Sequence, residues 1–138
     1  MKIKRIAIGN YKNIAQTTLD CSQMVALVST NNYGKSNLLE GINFGLDFIT
    51  ASAKNRNSRM RWVKGIPLIP ALAGKDYTFS IEFEEPSLGE YRFVRYGYRF
   101  AWYNDQETGA RITDETLEMR PNESVKYTSY IKREENKY

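Results

Sequence analysis

The amino-acid sequence predicts a mixed α/β (α+β) fold, a strand–loop–helix unit followed by an antiparallel β meander. Three observations carry that expectation. The continuous apolar run Met24–Ser29 gives way, from Gly34, to apolar residues at helical spacing. Tyr77, Phe79, Ile81 and Phe83 alternate strictly with Thr78, Ser80, Glu82 and Glu84, the pattern of a half-buried strand. Finally, Val94, Tyr96, Tyr98, Phe100 and Trp102 share one face of a strand whose other face carries Arg95 and Arg99.

Taken in order, Ile3, Ile6 and Ile8 mark a first strand, which "NYKN" interrupts. "QTTLD", residues 16–20, returns beside it as a hairpin-like partner. Met24–Ser29 is apolar on both faces, as suits a strand buried in a parallel sheet. Leu38, Leu39, Ile42, Leu46 and Ile49 then form one stripe of a helix from about Lys35 to Ile49. Gly41 and Gly45 each weaken that helix by ~1 kcal/mol relative to alanine, and let its backbone lie close against a sheet.

Residues 50–76 change character. No acid falls between Asp47 and Asp76, while Lys54, Arg56, Arg59, Arg61, Lys64 and Lys75 are basic, so a long irregular connection is expected. From Tyr77 the pattern is β throughout. "EPSLGE", "NDQETG" and "PNES" are turns, and "RITDETLEMR" and "VKYTSYIKRE" complete the meander. The expected units are thus 1–49, 50–76 and 77–138.

Composition narrows the function classes. At 138 residues, with 41% hydrophobic and 26% charged, the chain is long enough for one domain with a real core. No apolar run approaches the ~20 residues of a membrane span, and Ile6-Ala7-Ile8 is too short for a signal peptide, so a cytoplasmic protein is expected. A single cysteine, Cys21, excludes an internal disulfide framework. The absence of histidine argues against zinc and removes every catalytic scheme built on imidazole. A net charge of +4 is compatible with phosphate-bearing partners without identifying one.

The chemistry centres on "STNNYGKS", residues 29–36. A phosphate-binding loop has the form G-x-x-x-x-G-K-[ST] between a strand and a helix. Its inward-turned N–H groups form an anion nest, and the helix N-terminus adds unpaired donors and a positive dipole end. Gly34, Lys35 and Ser36 fill the last three positions at the right spacing, and Ser29 stands where the first glycine belongs. Bare Gly-Lys-Ser/Thr occurs by chance in roughly one chain in ten of this length, so the flanking strand and helix supply most of the information. The bland alternative is an ordinary strand–turn–helix link with a surface lysine.

"IKRIAIGNYKNI…TTLD…MVALVSTNNYGKSNLLEGINF" resembles the N-terminus of ABC-type ATPases of the RecF/SMC branch, above all AAA-family ATP-binding proteins related to the OLD nucleases. The likeness covers residues 1–49. The β stretch to Tyr138 is similar to that family's β subdomain in pattern only.

The resemblance implies an N-terminal P-loop lobe in which Asn31, Asn32, Tyr33 and Gly34 wrap the phosphates of ATP. It makes Lys35 the catalytic phosphate lysine, Ser36 the Mg²⁺ ligand, and Asn37 a neighbour of the α-phosphate. It places Tyr11, Lys12 and Asn13 near base and ribose, where the alternative is a solvent-exposed strand end. It further implies dimerisation around ATP, a C-terminal half supplying the rest of the ATPase, and work linked to DNA repair or phage defence.

The departures from the family pattern are specific. Ser29 replaces glycine, Thr30 replaces proline, and Tyr33 stands where a small residue is usual. A serine forced to positive φ costs on the order of 1–2 kcal/mol, which leaves open a degenerate loop that no longer holds nucleotide. Neither an LSGG-like signature nor a four-apolar-then-Asp-Glu strand is present; "FSIEFEE" alternates too strictly to be the latter. The chain is therefore expected to be an amino-terminal portion of an ATPase that by itself binds nucleotide at most.

Two further features have competing readings. Lys54, Arg56, Arg59, Arg61 and Lys64 could contact DNA phosphates or form a solvated loop. The stripe 94–102 could stack single-stranded bases or, more in keeping with a face of that size, pack on a core. The alternative function is a non-enzymatic nucleic-acid-binding β module in which Lys35 is one surface lysine among many.

Overall fold

The computed structural model describes residues 1–21, 32–61, 72, 74–102 and 111–134, with the side chains of residues 32–35 and 111 outside that description. The predicted strand Met24–Ser29 and the turn "NDQETG" lie outside the described residues. The elements, in chain order, are β1 (Lys2–Gly9), β2 (Thr17–Asp20), α1 (Asn32–Thr50), α2 (Ala53–Arg59), β3 (Tyr77–Glu84), a 3₁₀ segment (Pro86–Tyr91), β4 (Phe93–Ala101), β5 (Arg111–Arg120) and β6 (Thr128–Glu134). The fold is α+β, as expected from the change of period. Among the described residues no helix is long and apolar enough to cross a membrane.

Alternating side chains give the sheet two unlike faces. Among the described residues its six strands lie in the order β2-β1-β3-β4-β5-β6, every pair antiparallel. The register sets Ile8 beside Phe79 and Phe79 beside Tyr98, while Ile6, Ile81 and Tyr96 form the next apolar row. One position along, Arg5, Glu82, Arg95 and Glu118 line up across four strands on the opposite face. Arg95 Nε lies 2.5 Å from Glu118 Oε2, and Arg99 pairs with Asp114. One face is therefore a core surface, and the other is an ion-pair lattice.

Helix α1 covers the apolar face, with its closest approach at residues outside the expected stripe. Gly41, Gly45 and Phe48 are its buried positions. Leu38, Ile42, Leu46 and Ile49 are only half-buried against the margin of the core, and Leu39 is 44% exposed. The glycines explain the shift, because they allow the helix backbone onto the sheet. A Cβ on Gly45 would stand 2.1 Å from Phe79 Cδ2. Two tyrosine hydroxyls use that proximity: Tyr77 donates to the Gly41 carbonyl at 3.1 Å, and Tyr98 to the Gly45 carbonyl at 2.8 Å. The aromatic stripe of β4 is consequently core. Phe48 stacks on Tyr98 and Phe100 with centroids 4.8 and 5.2 Å away.

The expectation of an irregular connection after Thr50 needs correction, because Ala53–Arg59 is a helix. It lacks an apolar stripe, and polar contacts support it instead. Ser52 caps it by accepting from the Asn55 N–H. Arg56 reaches back to α1, donating through Nε to the Phe48 carbonyl at 3.0 Å and through Nη2 to the Ile49 carbonyl at 2.5 Å. Those are carbonyls that a helix C-terminus leaves unpaired, so Arg56 acts as a cap.

Burying phenols has a measurable consequence. Burial raises the pKa values of Tyr77, Tyr96 and Tyr98, and burial together with Glu40 pushes Tyr11 up to about 12. The fold thus favours the neutral phenols, whereas the unfolded chain loses these protons near pH 10. The stabilisation is complete below pH 10 and disappears as pH rises through 10 to 12 and beyond, at up to ~1.4 kcal/mol per pH unit for each ring. Denaturant midpoints measured from pH 8 upward should hold level and then fall steeply. Tyrosinate absorbance for these four rings should appear only with unfolding; its appearance beforehand at all ten tyrosines of the chain would contradict the burial.

Candidate functional site

Helix α1 starts at Asn32, so the backbone of Asn32, Tyr33, Gly34 and Lys35 forms its first turn. The first four N–H groups of a helix have no partner within it, and the positive end of the dipole lies there. No acidic side chain occupies this turn. Of the predicted phosphate loop, Ser29, Thr30 and Asn31 lie outside the described residues, as do the side chains of Asn32, Tyr33 and Lys35. Ser36 is exposed on the helix, and Asn37 is half-buried.

The turn joining β1 to β2 meets α1 at this end. Tyr11 and Ile14 close it with reciprocal backbone hydrogen bonds of 3.1 and 2.8 Å. Asn10 and Lys12 take positive φ, 61° and 49°, a conformation that L-residues adopt only where their surroundings hold them. Here the holds are visible. Asn10 Nδ2 donates to the Asp76 carbonyl at 2.6 Å, and Trp102 Nε1 donates to the Asn10 carbonyl at 3.4 Å. Lys12 Nζ donates to Glu40 Oε2 at 2.7 Å. Asn37 Nδ2 donates to Asn13 Oδ1 at 2.7 Å.

Of the residues expected near base and ribose, Lys12 and Asn13 therefore stand beside α1, one turn or two from its start. Tyr11 does not offer its ring to a ligand or to solvent. It is 3% exposed, with centroids 5.4 Å from Phe44 and 6.1 Å from Tyr77. The two left-handed residues around it turn the chain so that its side chain drops beneath α1, where Gly41 leaves room. Sequence reading missed Glu40, which fixes Lys12 from 28 positions away, since no local pattern announces so distant a partner.

The basic residues after α1 do not act as a set. Arg56 is committed to the α1 cap, with its guanidinium 5.5 Å from the Phe48 ring. Arg59 approaches Asp47 at 3.9 Å, Lys54 and Arg61 are exposed, and Lys64 lies outside the described residues. Among the described residues no group of three or more His, Cys, Asp or Glu side chains gathers as a metal site. Compared with protein-family models and with curated proteins, the chain matches none.

Proposed function

We propose that this chain is the ATP-binding N-terminal lobe of an ABC-type, AAA-family ATPase of the RecF/SMC/OLD-like branch. The observation that carries the reading is positional. Gly34, Lys35 and Ser36 are the third to fifth residues of a 19-residue helix that starts at Asn32, whose first turn bears no acid and whose flank is pinned to the β1–β2 turn. Phosphates would take the first-turn N–H groups, and Lys35 would neutralise the β/γ oxygens. Ser36 would offer its hydroxyl to Mg²⁺. Asn13, by holding Asn37, would fix the helix surface over which ribose and base extend.

Hydrolysis requires a signature segment and an acidic strand that this sequence lacks, so turnover belongs to a complete or dimeric protein. DNA remains a partner for Lys54, Arg59, Arg61 and Lys64, with Arg56 spent on the helix cap.

Calorimetric titration of Mg²⁺-ATP tests the reading. The chain should bind saturably, and Lys35→Ala should weaken binding by about 10- to 150-fold, the loss of a charged hydrogen bond of ~1.5–3 kcal/mol. Equal binding by the Lys35→Ala variant would overturn it. No binding until Ser29→Gly is introduced would identify a degenerate loop. Salt-dependent oligonucleotide binding without ATP binding would favour the β module instead, although the burial of Tyr98 and Phe100 removes its stacking platform.

A further inference from the structure

The face of the sheet away from α1 holds a cavity of about 310 Å³. Its walls come from β1 to β5 and from the β5–β6 connection, which folds back over the sheet. Tyr127 holds that connection in place. Its ring lies between two guanidiniums, with Arg95 and Arg120 at 4.3 and 4.2 Å from the centroid, and its hydroxyl donates to Glu82 at 3.3 Å. Arg120 Nη1 also donates to the Glu123 and Val125 carbonyls at 3.1 and 3.3 Å. Phe93, 9% exposed, adds an apolar surface.

The charges around this cavity are balanced but loosely joined. Lys4, Arg5 and Arg120 face Asp20, Glu82 and Glu123. Lys4 Nζ stands 3.8 Å from Glu84 and 3.7 Å from Glu123, and Arg5 stands 3.5 Å from Glu82. Elsewhere Lys12–Glu40 and Lys132–Glu134 close to 2.7 Å and Arg95–Glu118 to 2.5 Å, while Arg92–Glu84, Arg133–Glu115 and Arg99–Asp76 stand at 3.4, 3.4 and 3.6 Å. Separations of 3.5–3.8 Å keep the attraction but lie at or beyond the limit of a hydrogen bond, so these groups retain capacity for another partner.

The mixture of signs selects that partner. A simple anion would meet three carboxylates, a simple cation would meet three bases, and an apolar molecule would strip water from six charges without replacing it. A small zwitterion satisfies both sets at once. We propose that this cavity is a binding site for a free α-amino acid with an apolar side chain. Its carboxylate would lie toward Lys4 and Arg5, its ammonium toward Glu82 and Glu123, and its side chain on Phe93. The site is separate from the N-terminus of α1 and does not depend on nucleotide.

The test is NMR titration of the whole chain with L-phenylalanine, phenylalaninamide and N-acetyl-phenylalanine. Phenylalanine should shift the amide signals of Lys4, Phe93 and Tyr127 saturably. The two analogues, each lacking one charge, should bind at least about tenfold more weakly. Lys4→Met and the isosteric Glu82→Gln should each weaken phenylalanine about tenfold while cooperative unfolding is retained. Should Glu82→Gln fail to fold, Lys4→Met decides alone. The assignment is overturned by no saturable shift up to about 10 mM ligand, by equal binding of the analogues, or by folded variants that bind as well as the parent.

Discussion

Gly45→Ala should destabilise the protein by ~1–3 kcal/mol or more, reversing the usual sign of a glycine-to-alanine change in a helix. On an exposed helical surface that substitution gains up to ~1 kcal/mol by restricting the unfolded chain. At Gly45 the added methyl would stand 2.1 and 2.4 Å from Phe79 Cδ2 and Cε2 and 2.7 Å from the Tyr77 hydroxyl. Phe79 is 2% exposed and cannot swing away. The helix must lift instead, and lifting stretches the Tyr98–Gly45 and Tyr77–Gly41 hydrogen bonds together.

Gly41→Ala is the control. Its obstacles stand farther off, Ile8 Cδ1 at 2.8 Å and the Tyr11 ring at 3.0 Å, so its cost should be smaller. Urea unfolding of the two variants checks the order. A Gly45→Ala protein as stable as the parent would mean that α1 does not lie so close to the sheet.

Phe48→Ala should remove ~3–5 kcal/mol, the range for deleting a buried phenyl ring, and most of the stability of a domain that has only ~5–15 kcal/mol in total. Phe48 is 1% exposed and joins three parts of the structure. Its ring stacks on Tyr98 and Phe100 from β4 and on Phe44 within α1, and its outer face carries the Arg56 guanidinium. Truncation leaves a hole between helix and sheet and also takes away the ring against which Arg56, the cap of α1, rests. Phe48→Leu, which fills most of the volume, should cost under ~1.5 kcal/mol. Guanidinium denaturation followed by tryptophan fluorescence separates the two, since Trp102 lies 5.8 Å from Phe44 and 4.9 Å from Phe100.

What the sequence disclosed depended on whether the cause was local. β3 and β4 announce themselves through strict alternation, because each side chain's face is set by its own position. The helical period of α1 was equally plain, and Leu38, Ile42, Leu46 and Ile49 do pack against the core, but the line of closest approach was not legible. Glycine carries no hydrophobic signal, and it is Gly41 and Gly45 that meet the sheet. Helix α2 was invisible because Lys54, Asn55, Arg56 and Asn57 offer no apolar period, and its support comes from contacts with Ser52 and α1.

At the candidate site, the helix following Gly34-Lys35-Ser36 was legible from its period, though it starts at Asn32, three residues earlier than the period indicated. The burial of Tyr11 and the Lys12–Glu40 and Asn13–Asn37 pairs were not. They depend on two left-handed residues and on partners 28 and 24 positions distant.

The sheet order also bears on how the chain reaches this state. The hairpins β3–β4, β4–β5 and β5–β6 join neighbours in sequence, whereas β1 meets β3 by pairing Ile8 with Phe79 across both helices. Closing a loop of about seventy residues is slow relative to hairpin formation, so the four-stranded meander is the natural first product of folding. A chain folding in that order would show Phe79, Tyr98 and Phe100 to water until the N-terminal strand and α1 arrive. Recovery of folded material should then be governed by a race between docking and aggregation, more than by the depth of the final energy well.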